Sequence, residues 1–326
     1  MQKVKVIKNY IRFLLEPGSR RIIEEHKLEG YGKIHLFLDV IWCRILYGIK
    51  TKEYFFFSFF NKSHYARKQY VGTRERDRIL RSLNSIEAKE ILRSKLKTYE
   101  VFKDYFHRQM IFVSLPEDLS ALNSFLKCKE QIVVKPLSST QGKGVLVLKY
   151  NTIDNNQTQL LAGDYVIEEF IKQDDIMASF HPTSVNTIRY VTYNNGKDVQ
   201  KLFALIRMGV GCNYVDNTCA GGISAVVDLE KGVIITEAAS QNGSRYYYHP
   251  DTGVKIIGAE IPKWDDLNNM VEEMSKINSS LKIVGWDFAL SEEGWCLVEA
   301  NSLPSFFGFQ IALEKGCRSL LKKIEC

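Results

Sequence analysis

Apolar positions change period along this chain. From about residue 110 they alternate with polar ones or come in short blocks, as in strands; upstream they recur at helical spacing among basic and aromatic residues. The pattern predicts strands over 131–135, 144–149, 165–169, 187–193, 199–207 and 223–228. Helices are expected over 117–129, over 263–278, at the C-terminus, and in one run from about 86 through Lys95 and Tyr99 to Phe106. The most informative pair of strands comes late. Residues 284–290 and 295–301 are apolar strands that carry Asp287, Glu299 and Asn301, and Ser291-Glu292-Glu293-Gly294 between them is a turn. Folding back there brings Asp287 opposite Glu299 within a residue of register. Because strand side chains alternate faces, Glu299 and Asn301 share one side while Val298 and Ala300 take the other. Three oxygen donors then converge as a hard cation such as Mg²⁺ requires, with phosphates supplying further ligands. A half-buried hairpin with solvated acids is the alternative, and acids inside apolar strands are costly to bury without a partner.

Strands in runs with peripheral helices give an α+β class. The expected organisation is a helical, basic and aromatic N-terminal region over 1–94, a small lobe over 95–164 and a large lobe over 165–326. With 326 residues, 45% of them hydrophobic, there is enough chain for two or three packed units. The stretch Ile34 to Ile49 is interrupted by His35, Asp39 and Arg44, and reads as an amphipathic packing helix rather than a span. The aromatic run Tyr54 to Phe60 can insert at a membrane interface or pack against a neighbouring domain. No apolar signal segment with small residues after it is visible at the N-terminus. Seven cysteines, at 43, 128, 212, 219, 296, 317 and 326, form no C-x-x-C pair and suggest neither a disulfide framework nor a zinc site. The expected location is the cytoplasm, with a place at a membrane surface open.

Charge sharpens this division. The net +6 comprises 24 Lys and Arg against 12 Asp and Glu in residues 1–110, and 20 against 26 afterwards. A basic N-terminal region can attract phosphate, anionic polysaccharide, nucleic acid or an anionic membrane, or be a solvated helix face. Nucleic acid is the weakest of these, since acids are intermixed and no recognition module is present.

Candidate nucleotide chemistry begins at Lys135, which ends a strand and is held extended by Pro136. The following loop, Ser138, Ser139, Thr140, Gln141, Gly142, Lys143 and Gly144, is small and flexible enough to point N–H groups at phosphate oxygens. It is no Walker A loop, because Gly144 and a strand follow Lys143. A plain hairpin tip has the same composition. Glu168, Glu169, Phe170 and Ile171 then form a strand end leading to Asp174 and Asp175, where backbone groups and carboxylates can meet an adenine and a ribose. Arg189 and Arg207 are suited to phosphate or carboxylate recognition, or to rim ion pairs. A second glycine turn, Asn217 to Gly222, precedes the next strand.

This order of parts resembles the ATP-grasp superfamily over about residues 95 to 310: a helix lysine, Lys-Pro with a small-residue loop, a Glu-Glu-Phe-Ile hinge, an Arg, an Asn-x-x-x-Gly-Gly turn, then Asp and Glu-x-Asn. The stretch His181-Pro182-x-Ser184-x-Asn186-Thr187-Ile188-Arg189 and the basic aromatic N-terminal region look most like its sugar-transfer-associated group. The resemblance implies an ATP-grasp fold using ATP and Mg²⁺. It implies Lys95, Lys135 and the 138–144 loop on the phosphates, and Glu168 with the Glu169 to Ile171 hinge on adenine. It further implies Asp175 on ribose, Arg207 with Lys135 at the transferring phosphoryl group, and Asp287, Glu299 and Asn301 on Mg²⁺. His181, Asn186, Arg189, Gly221 and Gly222 would lie by the substrate. Family members usually carry Asp-Lys or Asn-Lys where this chain has Ser94-Lys95, and Lys97 is also in reach.

The implied reaction joins a carboxylate to an amine through an acylphosphate, with a saccharide or cell-surface polysaccharide precursor among the substrates. Two rivals stand beside it: a small-molecule kinase, whose product is stably phosphorylated without an amine, and a nucleotide-sensing protein that docks through its N-terminal region to a glycosyltransferase or membrane.

Overall fold

The computed structural model describes residues 11, 33–115, 117–127, 129, 131–138, 144–149, 163–211, 221–241 and 243–325. The loop 139–143, the start of the second glycine turn at Asn217, and Cys128, Cys212, Cys219 and Cys326 lie outside them.

Helices dominate the N-terminal part: α1 (Lys33–Leu46), α2 (Thr51–Phe56), α3 (His64–Gln69), α4 (Thr73–Leu83), α5 (Ile86–Arg93) and α6 (Lys95–Phe102). The single helix expected from 86 to 106 is broken at Ser94. This residue is extended, and its hydroxyl accepts from Lys97 N as the N-cap of α6. The aromatic run packs inward. Tyr54, Phe55, Phe57 and Phe59 are buried, and Phe57 lies 5.3 Å from the ring of Phe307.

The small sheet is built from β1 (Met110–Leu115), β2 (Gln131–Pro136), β3 (Leu146–Lys149) and β4 (Gly163–Glu169), in the order β1-β4-β2-β3, all antiparallel. Helix α7 (Leu119–Lys127) covers it, closing a core of Val113, Leu122, Leu126, Ile132, Val134 and Ile167. Strand β1 was not legible from the pattern.

After α8 (Asp175–Phe180) comes the large sheet: β5 (Thr187–Asn194), β6 (Val199–Met208), β7 (Ile223–Val227), β8 (Ala238–Ser240), β9 (Arg245–Tyr246), β10 (Ile283–Ser291) and β11 (Gly294–Asn301). Its order is β11-β10-β5-β6-β7-β8-β9, again antiparallel. One face is covered by α9 (Trp264–Ile277) and by residues of α5 and α6, around Tyr190, Ile206, Trp286 and Phe288. Against the other face pack α1, α2, α10 (Phe307–Leu313) and α11 (Arg318–Glu325), around Val191, Phe203, Leu205 and Ile283. This second apolar face turns polar toward one end of its strands, and there the candidate site lies.

Candidate active site

On the second face of the large sheet, alternation puts Val191, Arg189 and Thr187 of β5 beside Phe203, Leu205 and Arg207 of β6. The same side carries Ile283, Gly285 and Asp287 of β10. Val191, Phe203, Leu205 and Ile283 belong to the core, so the polar members continue a buried row. Register does the rest: Arg189 pairs with Asp287, and Asp287 with Glu299. Gly285 is required where it stands, because a Cβ there would meet Pro304 Cβ at 2.8 Å.

The expected hairpin is present with its turn at Ser291 to Gly294. Alternation along β11 is interrupted, however. Phe288 pairs with Leu297 while Asp287 pairs with Glu299, so Val298 is an extra residue in a bulge. Glu299 and Asn301 keep the same side beyond it.

Asp287 is buried, and two arginines hold it. Arg189 donates from Nε to Oδ1 and from Nη2 to Oδ2 at 2.8 Å, and Arg207 Nη2 lies 3.0 Å from Oδ2. Arg207 also donates to Thr187 Oγ1 at 2.7 and 3.0 Å. Burial alone would raise the Asp287 pKa, but the charges and hydrogen bonds of Arg189 and Arg207 outweigh it and hold it low. Glu299 moves the other way: its side chain is exposed to the space between the sheets, yet the protein packed around it and the facing Asp287 charge raise its pKa, against the pull of Arg189, Arg207 and Lys135. Two carboxylates facing each other, one resisting ionisation, are stabilised by a shared cation.

From the small lobe comes a second ionic group. Lys135 Nζ contacts Glu168 Oε1 at 2.8 Å. Arg108 donates to Glu168 Oε2 from Nη2 at 2.7 Å and from Nε at 3.0 Å. Its Nη1 donates to Leu297 O at 2.5 Å, beside the bulge, and to Phe106 O at 3.1 Å. Arg108 therefore joins the small sheet to β11. Although burial pushes the Glu168 pKa up, Arg108 and Lys135 bring it down to about 2. Lys95 enters from the start of α6, donating to Pro136 O at 3.0 Å and Leu137 O at 3.3 Å. Burial lowers its pKa, with Glu299, Lys135 and Glu168 all close enough to act on it. Lys97 instead meets Glu90 at 3.3 Å on an exposed surface. Ser94 caps the helix as Asp or Asn would, so its departure from the family pattern keeps the capping role. We expect Lys95→Ala to weaken nucleotide binding by about tenfold, consistent with losing one charge-assisted contact, and Lys97→Ala to leave it unchanged; equilibrium dialysis with labelled nucleotide checks both.

Other candidates fall around this centre. Glu169 pairs with Lys129 at 2.7 Å at the C-terminal end of β4. Phe170 and Ile171 are half-buried, with Phe170 N donating to Gln131 O at 3.4 Å. The segment after them is strapped to the β10–β11 turn through Asp174 N to Leu290 O at 3.0 Å and Glu292 N to Lys172 O at 3.2 Å. Asp175 is exposed at the start of α8, Ser138 is exposed, and Gly144 holds a positive φ of 72°. Gly221 is exposed with φ 104° and Gly222 is buried.

His181 and Asn186 are buried in local structure. His181 Nδ1 shares a 2.8 Å hydrogen bond with Ser184 Oγ, and Nε2 lies 3.0 Å from Gly211 O. Asn186 Nδ2 donates to Met177 O at 2.8 Å and His181 O at 3.0 Å. Arg108, the residue that sequence reasoning missed, lies in an irregular joint where no periodicity marks it.

Five cations, Lys95, Arg108, Lys135, Arg189 and Arg207, thus gather with three carboxylates, Glu168, Asp287 and Glu299. The surplus is positive, as a polyphosphate needs. Among the described residues no three His, Cys, Asp or Glu side chains form a metal cluster. Asp287, Glu299 and the amide of Asn301 still fit a magnesium ion that shares its shell with phosphates. The buried Asn301 Nδ2 has no hydrogen-bond partner, and amide oxygen and nitrogen are exchanged by a simple flip.

The profile of the family described as sugar-transfer associated ATP-grasp matches residues 74–326. Solved structures similar to this chain include the ATP-grasp ligase PsnB complexed with minimal precursor, at 14% identity over 74% of this chain and 64% of that chain, TM-score 0.47. D-alanyl-alanine synthetase A from Vibrio cholerae is 14% identical over 74% of this chain and 66% of that one, TM-score 0.48. The D-alanine-D-alanine ligase from Coxiella burnetii is 11% identical over 74% and 58%, TM-score 0.43. The chain therefore spans less than two thirds of the length of each of these solved chains. No curated protein matches its sequence.

Proposed function

The chain belongs to the sugar-transfer associated ATP-grasp family, and from that premise we propose that it is a Mg-ATP-dependent ligase that joins a carboxylate to an amine. A carboxylate oxygen of the substrate attacks the γ-phosphorus, the bond from that phosphorus to the β,γ-bridging oxygen breaks, and ADP leaves. The amine nitrogen then attacks the acylphosphate carbonyl, loses a proton, and expels phosphate to leave an amide. Such transfers depend on positioning and charge neutralisation more than on a nucleophilic side chain.

The observation that carries this reading is the convergence of Lys95, Lys135, Arg189 and Arg207 on the facing Asp287 and Glu299 between two sheets. In the proposed complex Lys95 and Lys135 hold phosphate oxygens, with the 138–144 loop over them. Arg207 neutralises the transferring group, and Arg189 orients the attacking carboxylate. Asp287, Glu299 and Asn301 would hold Mg²⁺, which supplies charge neutralisation to the phosphates when bound. Glu168 fixes Lys135 in place, and the Glu169 to Ile171 hinge, with Asp175, borders the nucleoside. Gly221 and Gly222 border the acceptor side, with His181 and Asn186 shaping that wall from beneath.

The family description favours a saccharide substrate: a uronic acid or other cell-surface precursor as carboxylate, and an amino acid or amino sugar as amine. The basic N-terminal region remains available for docking to a membrane or a glycosyltransferase.

Calorimetry of Mg-dependent ATP binding tests the site, with Glu299→Gln and Lys135→Ala as variants. Binding by the wild type that both changes weaken supports it. Undiminished binding in both variants would place the site elsewhere, and ADP release that needs no amine and leaves a stable phosphorylated product would replace the ligase by a kinase.

A further inference from the structure

Helix α1 is apolar on both sides, which the sequence expectation of a simple amphipathic helix did not include. Leu36, Val40 and Cys43 face the core. On the opposite side Ile34, Leu38, Trp42 and Ile45 are 77, 58, 57 and 60% exposed. Spacings of four, four and three residues align them in one stripe. A surface helix ordinarily turns polar side chains to water, so a contiguous apolar stripe marks a contact surface.

The flank of the stripe is basic. Arg44 and exposed Arg74 are close enough for Arg74 to lower the Arg44 pKa, after the larger effect of burial and against the smaller pull of Glu53, a buried acid whose carboxylate accepts from Lys50 N and Thr73 N. Among the described residues neither arginine has a carboxylate within ion-pair distance. Exposed Arg78 follows one turn later on α4. Asp39, the acid of α1, is taken up by Arg67 through two bonds of 2.7 Å and by the Tyr54 hydroxyl at 2.7 Å. The charge left beside the stripe is therefore positive.

We propose that the outer face of α1, with Arg44 and Arg74 at its rim, docks flat onto an anionic lipid surface. Ile34, Leu38, Trp42 and Ile45 enter the boundary between headgroups and acyl chains, and the arginines meet lipid phosphates. The helix lies on the surface, because its 14 residues reach only about 21 Å against a hydrocarbon core of about 30 Å. Among the described residues no helix is long and apolar enough to cross a membrane. A second copy fits less well: a two-fold contact through this stripe would bring the same arginines to both rims. The proposal does not depend on the ligase reading.

Sedimentation of the full chain with vesicles of phosphatidylcholine, alone or mixed with phosphatidylglycerol, tests it. Trp264, Trp286 and Trp295 are buried, so an aqueous quencher reads Trp42 among the four tryptophans. The expected result is binding to the anionic vesicles, weakened by salt, with Trp42 shielded only once vesicles are added. Leu38→Ser with Trp42→Ser should lower partitioning by at least about tenfold, and Arg74→Glu should weaken it further. All three side chains are exposed, and unchanged thermal unfolding verifies that the variants fold. No binding to either vesicle, or equal and salt-insensitive binding to both, overturns the proposal. So does a Trp42 already shielded without vesicles, which assigns the stripe to protein. A dimer dispersed by the double substitution would assign it to a second copy and equally overturn the lipid contact.

Discussion

Replacing Glu299 by glutamine should cut Mg-dependent ADP release by about 10²- to 10³-fold, the size of effect seen when one preorganised electrostatic contact is removed from a reacting centre. The substitution keeps the shape of the side chain and the pairing of β11 with β10, so Asp287 stays opposite position 299. What it removes is the second carboxylate of the pair. Asp287 already receives Arg189 and Arg207, and without Glu299 the positive groups outnumber the carboxylates still further. The pH dependence follows from the same pair. The protein packed around the exposed Glu299 side chain and the facing Asp287 raise the Glu299 pKa, so metal affinity should fall as pH drops through that raised value, whereas the pKa of Asp287 is held low. The glutamine variant should lack this step. Steady-state ADP release and Mg²⁺ titrations across pH measure both; full turnover in the variant would remove Glu299 from the reaction.

Arg108→Met should produce the largest loss of stability, about 3–5 kcal/mol, because it strips a partner from a buried ion pair and leaves charge behind. Glu168 would keep Lys135 alone, and Leu297 O would lose its donor next to the bulge. In the wild type the Glu168 pKa falls from 4.5 to about 2, a difference of about 3 kcal/mol between its protonation states. A depressed carboxyl stabilises the fold fully above its unfolded value. That contribution is lost as pH falls from about 4.5 toward 2. Urea unfolding at neutral and acid pH should show wild type and Arg108→Met converging as pH drops. Equal stabilities at neutral pH would show that Lys135 suffices. Arg108→Lys retains charge without the planar fork and should fall between them.

Much of the site was legible because it rests on short-range periodicity. Two strands with a four-residue turn bring Asp287 within one residue of Glu299, as expected; the turn's own register, which pairs Ser291 with Gly294, would set Asp287 against Val298, and the bulge completes the match to Glu299. A Lys-Pro strand end likewise localises Lys135, whereas the cap at Ser94, which breaks the run expected from 86 to 106 and starts Lys95 on its course, became evident only in the structure. The bulge at Val298 was not legible, since an inserted residue leaves the apolar alternation on either side intact. The resemblance sets His181 and Asn186 by the substrate; their burial under Gly209 and beside α8 appears only when the loop is closed. Gly209 belongs to that closure, as a Cβ on it would come within 2.3 Å of Ser184 Oγ.

The sequence by itself determined strands β2 to β7, helices α7 and α9, the late hairpin that carries Asp287 and Glu299, the basic N-terminal region and the family resemblance, because each depends on neighbours within a few turns or on motif order. Only the tertiary structure decided that Arg108 pins Glu168 to β11, that two arginines converge on Asp287, that Lys95 rather than Lys97 turns inward, and that α1 keeps an apolar face in water. Those outcomes depend on which distant side chains share a desolvated space. There a charge must find its partner, and local spacing carries no record of that meeting.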